Sequence, residues 1–178
     1  MNTFDTPEPI TAVVSFTAAD IRISAAQRTD TTVEVRPADP ADATDVAAAE
    51  RARVTYADGR LTVKDRSSIR SLPGRIAVAG AGNVTVDRAA DALRVTVEQG
   101  VVKVGAIGRG RADLDVGAGT INVGIPDGTA ALLDAKTTLG RVRDTLDDNP
   151  EESGGNTVEL HAHVARGDIQ LHRVTSGR

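Results

Sequence analysis

The chain has 178 residues, a net charge of −4, no cysteine or tryptophan, one tyrosine and two phenylalanines, against 17 glycines. Disulfides and Cys-ligated zinc are thereby excluded. With only Phe4, Phe16 and Tyr56 as rings, and a net charge that repels phosphate, the chain is not expected to bind nucleic acid. One domain, or at most two small ones, fits this length.

The opening MNTFDTPEPITAVVSFTAAD carries Asp5, Glu8 and two prolines where a secretory leader would have a basic region and then an apolar stretch. No apolar run approaches the roughly 20 residues that cross a bilayer as a helix. A cytoplasmic location is expected, with no direct membrane insertion and any envelope association made through a partner. Ile10 to Phe16, Ile21 to Ser24 and Thr32 to Arg36 alternate Val, Ile and Thr with polar residues, which predicts three half-buried strands. The alanine-rich Ala41 to Arg53, following Asp39 and Pro40, predicts one short helix. Arg53 to Tyr56 and Leu61 to Lys64 flank Asp58-Gly59, a hairpin signal because glycine tolerates positive φ. Residues 1–64 therefore read as a strand, helix and hairpin unit, and the polar 65–74 as a connection.

From Arg75 the pattern changes. Short alternating runs recur, each led by a glycine: Gly82-Asn83-Val84-Thr85-Val86, Gly100-Val101-Val102-Lys103-Val104, Gly119-Thr120-Ile121-Asn122-Val123, Gly140-Arg141-Val142-Arg143-Asp144 and Gly167-Asp168-Ile169-Gln170-Leu171. The leading glycines Gly82, Gly100, Gly119, Gly140 and Gly167 are 18, 19, 21 and 27 residues apart, and the acidic DTLDDNPEESGG accounts for the last, longer interval as an inserted loop. Ala19-Asp20-Ile21-Arg22-Ile23 has the same form with alanine leading.

A period near 20 residues with one buried-exposed-buried run per repeat predicts a solenoid, each coil stacking on the one before it and the glycines at the corners. The fold class is thus all-β: a β-solenoid-like stack of short strands, of the single-stranded right-handed β-helix type, with one short helix in the N-terminal third. The repeat spans 75–178 and is expected to be continuous with 1–64. The paucity of rings fits a thin interior filled by branched aliphatics. An antiparallel sandwich competes, since Leu93 to Glu98 and Val101 to Gly105 could pair across Gln99-Gly100.

The segments FDTPEPI, TTVEVRP, ARVTYADGRLTVK, VGAGTINVGIPDGTAALLDAKTTLGRVRDTLD and TVELHAHVARGDIQLHR together resemble the bacterial putative-adhesin β-strand-repeat family of actinobacterial type, related to toast-rack domains. The resemblance covers nearly the whole chain and is sharpest at Gly119-Thr120-Ile121, Gly124-Ile125-Pro126, Gly140-Arg141-Val142 and Gly167-Asp168-Ile169. It implies a β-solenoid-like fold, no established catalysis and a link to adhesion or to envelope-stress modules. It supplies no catalytic residues.

Chemistry-bearing residues are few. His161 and His163 share a strand face with Glu159, and His172 follows on what reads as the next strand, so these histidines are the candidates for a metal patch. The plainer reading is a solvated face opposite an inward Val158, Leu160, Ala162 and Val164. Asp113 and Asp115 also share a face, as the paired carboxylates of a glycan-cleaving enzyme would, but alternation alone places them there. Arg166-Gly167-Asp168 spells an integrin-binding tripeptide at a repeat corner that already needs a small residue and a turn former. The glycine-rich stretches lack the third glycine and following helix of a dinucleotide site, and the P-loop lysine.

No catalytic residue, cofactor or metal is assigned. The expected function is a structural or interaction module, with an unknown protein partner or self-association. A carbohydrate-active β-helix enzyme and an accessory of envelope-stress signalling are the alternatives.

Overall fold

The computed structural model describes residues 1–8, 10–16, 18–24, 28–64, 76–89, 92–146 and 156–175. The expected connection at 65–74 and most of the acidic insert, 147–155, lie outside the described residues.

Each glycine-led run forms part of a strand and pairs in parallel with the run at the same place in another repeat. The strands are β1 (Asn2–Asp5), β2 (Thr11–Phe16), β3 (Ile21–Ile23), β4 (Asp30–Val33), β5 (Arg53–Ala57), β6 (Arg60–Lys64), β7 (Ile76–Ala81), β8 (Val84–Val86), β9 (Leu93–Val104), β10 (Gly110–Pro126), β11 (Thr129–Leu139), β12 (Val142–Thr145) and β13 (Asn156–Val174). A helix, α1, covers Ala43–Arg51. Its Asp42 cap accepts hydrogen bonds from the Thr44 and Asp45 amides, satisfying donors that the first turn leaves over.

A coil has two limbs meeting at a corner. In β9, β10 and β13 both limbs belong to one long strand, bent at Gly100, Gly119 and Gly167, where φ is 146°, 147° and 131°. The limbs of β9 do not pair with each other, as a sandwich would require; each pairs in parallel with other coils. The second limb ends beside the start of a first limb, because the two-residue turn Asp127–Gly128 joins β10 to β11. Arg173 spans this closure: its Nη1 donates to the carbonyls of Pro126 at 3.2 Å and Thr129 at 2.8 Å.

Register makes the core. Along the second limb, Ile21, Val84, Val102, Ile121, Ile169 and Val142 fall in one row, and Ile23, Val86, Val104, Val123, Leu171 and Asp144 in another. Along the first limb, Leu93, Ala112, Leu160 and Leu133 align, as do Val95, Leu114, Ala162 and Ala135. The inner members of these rows are buried and form one continuous cluster. No single coil could remove its apolar face from water, so stability is a property of the stack.

The corners stack as well. A Cβ placed on Gly82, Gly100, Gly119, Gly167 or Gly140 would fall 1.7 to 2.0 Å from the carbonyl oxygen of Ala19, Gly82, Gly100, Gly119 or Gly167 respectively. Backbone approaches backbone there with no room for a side chain. The expected corner glycines are therefore a physical column, and Ala19 is its first member.

One expectation is corrected. The coils do not stack in chain order: β13 lies between β10 and the pair β11–β12, so the last strand in sequence is internal and β11–β12 is terminal. The reason lies in composition. The inward positions of β13 are Val158, Leu160, Ala162, Val164, Ile169 and Leu171, all fully enclosed, whereas β11 and β12 present Ala131, Leu133, Ala135, Thr137, Val142 and Asp144 at the matching places, a smaller and more polar row. The more apolar segment takes the position covered on both sides.

At the opposite end, β6 adds in parallel to β2 and β5 adds antiparallel to β6 through a turn with Asp58 and Gly59 at φ 49° and 71°. Strands β1 and β4 make a separate antiparallel pair, and the N-terminal strand β1 was not foreseen. Phe4 meets Tyr56 with ring centroids 5.7 Å apart, and Val33, Val35 and Val54 pack on the same end of the core.

Candidate interaction face

The parallel register that builds the core also aligns the outward residues of the first limb. Arg94, Asp113, His161 and Asp134 form one row across β9, β10, β13 and β11; Thr96, Asp115, His163 and Lys136 form the next. Neighbouring members stand one strand spacing apart, about 4.8 Å. These rows line a shallow depression of about 340 Å³ on the outer face.

The side chains form a chain of polar contacts, with ion pairs at its Arg and Lys members. Asp113 accepts from Arg94 Nη2 at 2.8 Å and from Arg111 Nε at 3.1 Å. Arg111 reaches Glu159 at 3.5 Å, Glu159 Oε1 lies 2.8 Å from His161 Nε2, His161 Nδ1 lies 3.6 Å from Asp134, and Asp134 meets Lys136 Nζ at 2.8 Å. Beside it, His163 Nδ1 stands 3.5 Å from Asp115. Partial burial pushes the Asp113 carboxyl up, but the hydrogen bonds from Arg94 and Arg111 outweigh this and hold it below the usual carboxylate range. Glu159 is held low chiefly by its hydrogen bond with His161, and Asp134 by that with Lys136.

This geometry bears on the candidate metal patch. His161 and His163 do share an outward face, but His172 lies beyond the Gly167 corner on the other limb of the same strand β13, in register with Gly124 and Thr145. It is not on an adjoining strand beside the other two. Both ring nitrogens of His161 already face carboxylates. Among the described residues no three metal-binding side chains converge. The proposed tripeptide is also accounted for locally: Asp168 Oδ1 accepts from the Arg141 amide at 2.9 Å, tying one corner to the next. Asp20 and Asn83 do the same at earlier corners, Asp20 accepting from the Asn83 amide and Asn83 Oδ1 from the Val101 amide. Arg94, Arg111 and Lys136 were missed in sequence as site residues; only knowledge of which repeats are neighbours brings them to Asp113 and Asp134.

Among the described residues no helix is long and apolar enough to cross a membrane. No protein-family profile matches the chain, and no curated protein matches it in sequence. Among solved structures it is similar to a putative cell adhesion protein from Clostridium sporogenes, at 11% identity and a TM-score of 0.38, over 97% of this chain and 98% of that one.

Proposed function

We propose that this protein is a non-catalytic interaction module that binds a protein or surface partner through the outer face of its first-limb sheet. The observation that carries this reading is the in-register pair of rows, Arg94–Asp113–His161–Asp134 and Thr96–Asp115–His163–Lys136, bordering a shallow depression. A rigid stack fixes the spacing of these groups before any partner arrives, so little ordering entropy is lost on binding. The mixture of cations and carboxylates suits a partner of alternating charge, with pairing setting register and specificity.

A glycan-cleaving role is disfavoured by the same groups. A general acid needs a raised pKa, and Asp113 is held low between two guanidinium groups. The resemblance of the sequence to adhesin-type β-strand repeats accords with a binding role.

The test is affinity capture from the native cell with wild type and with Arg94→Glu/His163→Glu, which leaves the β11 edge untouched, followed by a binding titration of the captured partner. A partner retained by wild type and weakened at least tenfold by the double variant supports the reading. A partner bound equally by both overturns the choice of face, and turnover on a glycan panel that is lost in Asp113→Asn overturns the non-catalytic assignment.

A further inference from the structure

The two ends of the stack are unlike. At the β5 end, an antiparallel hairpin and the Phe4, Val33, Val35 and Tyr56 side chains cover the core. At the other end, among the described residues, β11 pairs with β13 alone, and Leu132, Leu139 and Val142 are 65%, 63% and 41% exposed. An edge strand of eleven residues with half its backbone polar groups turned outward is a template for another strand.

Two features restrict what can occupy it. The corner column admits only glycine on its growing side, since even Gly140 leaves 1.9 Å between a hypothetical Cβ and the Gly167 oxygen. At its other end the first-limb sheet closes with the hairpin strand β5, which runs antiparallel to the stack, so a second copy arriving head to tail cannot continue the parallel stacking. An antiparallel meeting of β11 with the β11 of a second copy avoids the column.

The charges on the strand then select its register. Inward Leu133 and Ala135 and outward Asp134 and Lys136 keep their sides only if residues of the same parity face each other. Centred on Asp134 or on Lys136, the pairing would oppose like charges. Centred on Ala135, it sets Asp134 of each copy opposite Lys136 of the other, and Leu132 opposite Thr138. The second limb is blunted: Asp144 takes the inward position held by Val104, Val123 and Leu171 on inner coils, which confines pairing to the first limb.

We propose that two copies of this chain associate about a two-fold axis through Ala135, joining their first-limb sheets edge to edge along β11. This edge borders the outer face assigned to a partner and shares Asp134 and Lys136 with it.

Because the chain has no cysteine, a single introduced one reports the axis directly. Only a residue on the axis meets its own copy, at a Cα separation of about 4.5–5.5 Å that a disulfide spans. Ala135→Cys is expected to give a disulfide dimer under mild oxidation, and Ala131→Cys to stay largely uncrosslinked. In light scattering across a concentration series, wild type is expected to dimerise, Lys136→Asp to weaken the dimer at least tenfold, and Asp134→Lys/Lys136→Asp to restore it. Circular dichroism checks that each variant is folded. A wild type that stays monomeric at its highest soluble concentration, equal crosslinking at 131 and 135, a dimer indifferent to the charge changes, or growth into open polymers each overturns the proposal.

Discussion

A Cβ on Gly119 would stand 1.7 Å from the carbonyl oxygen of Gly100, two residues that are 19 apart in sequence and directly stacked in space. Real Cβ atoms do not approach so closely, and the obstructing atom is backbone in the middle of the stack. With φ at 147° as well, Gly119→Ala is expected to be among the most damaging single changes, costing about 4 kcal/mol or more. Gly108 has nothing within 4 Å of a hypothetical Cβ and no positive φ. Gly108→Ala should be neutral or stabilising by about 0.5 kcal/mol, since alanine narrows the unfolded ensemble. Urea unfolding of the two variants beside wild type checks the contrast.

The column also explains which part of the fold was legible. Alternation and the recurring glycine at near-constant spacing reveal coil, corner and inward residues, and even assign Ala19 to the column despite its lost glycine, because Ile21 and Ile23 repeat the Val84 and Val86 pattern. Neighbour order was not legible. Gly140 and Gly167 both fit on Gly119, and nothing local to either says which coil is terminal; the long-range balance between the apolar inward row of β13 and the weaker row of β11–β12 decides it. The site inherits this. The shared face of His161 and His163 follows from period two, but the contact of His161 with Asp134 exists only because β13 is inserted beside β11. His172 departs from the sequence expectation for a related reason: β13 bends through Gly167 rather than ending there, so an opposite limb stands where the sequence predicts an adjacent strand.

The insertion of β13 makes the C-terminal segment indispensable to a coil that precedes it in sequence. Arg173 bonds two carbonyls on either side of the Asp127–Gly128 turn, holding the end of β10 to the start of β11. Arg173→Ala leaves the carbonyls of half-buried Pro126 and buried Thr129 short of a charged donor, an expected cost of about 1–3 kcal/mol. Arg173→Lys should recover only part, because a point charge on a flexible stem lacks the preorganised guanidinium geometry. Truncation after Leu146 removes the one strand that pairs with β11 and β12 among the described residues, and is expected to abolish cooperative thermal unfolding seen by circular dichroism.

Asp113 gives a pH dependence of definite sign. Its folded pKa lies below the ordinary value, so its contribution to stability is present above the unfolded carboxylate pKa, near 4, and disappears as pH falls through the folded one. Arg94→Ala removes one of its two guanidinium partners. The Asp113 titration midpoint, followed by carboxyl carbon NMR shifts, should rise in that variant. At pH 7 the variant should lose less than about 1 kcal/mol, because the Arg94 side chain is half exposed and solvent screens the pair. This pairwise part should vanish once pH falls below the folded Asp113 pKa, where the carboxylate is protonated in both proteins. An unchanged midpoint would mean that Arg111 alone sets the depression.

Asp144 tests whether the terminal coil is deliberately blunted. It occupies the row of Val86, Val104, Val123 and Leu171, yet it is exposed, and its carboxylate accepts the Leu146 amide at 2.9 Å. A charge at the inward position of an edge strand opposes further strand addition, since a docking strand would have to bury it. Asp144→Val restores the apolar row without touching inner coils. Monomer stability should change little, because the site faces solvent: loss of one exposed hydrogen bond is offset by modest valine contact with Leu171, within about 0.5 kcal/mol. Association should strengthen, because the second limb then offers β12 as an apolar edge beside β11. Light scattering over a concentration series is expected to show a lower dissociation constant, or species beyond the dimer, for Asp144→Val. Asp144→Asn, which keeps the amide acceptor but removes the charge, should fall between it and wild type; equal association in all three would assign Asp144 a purely local role in holding Leu146.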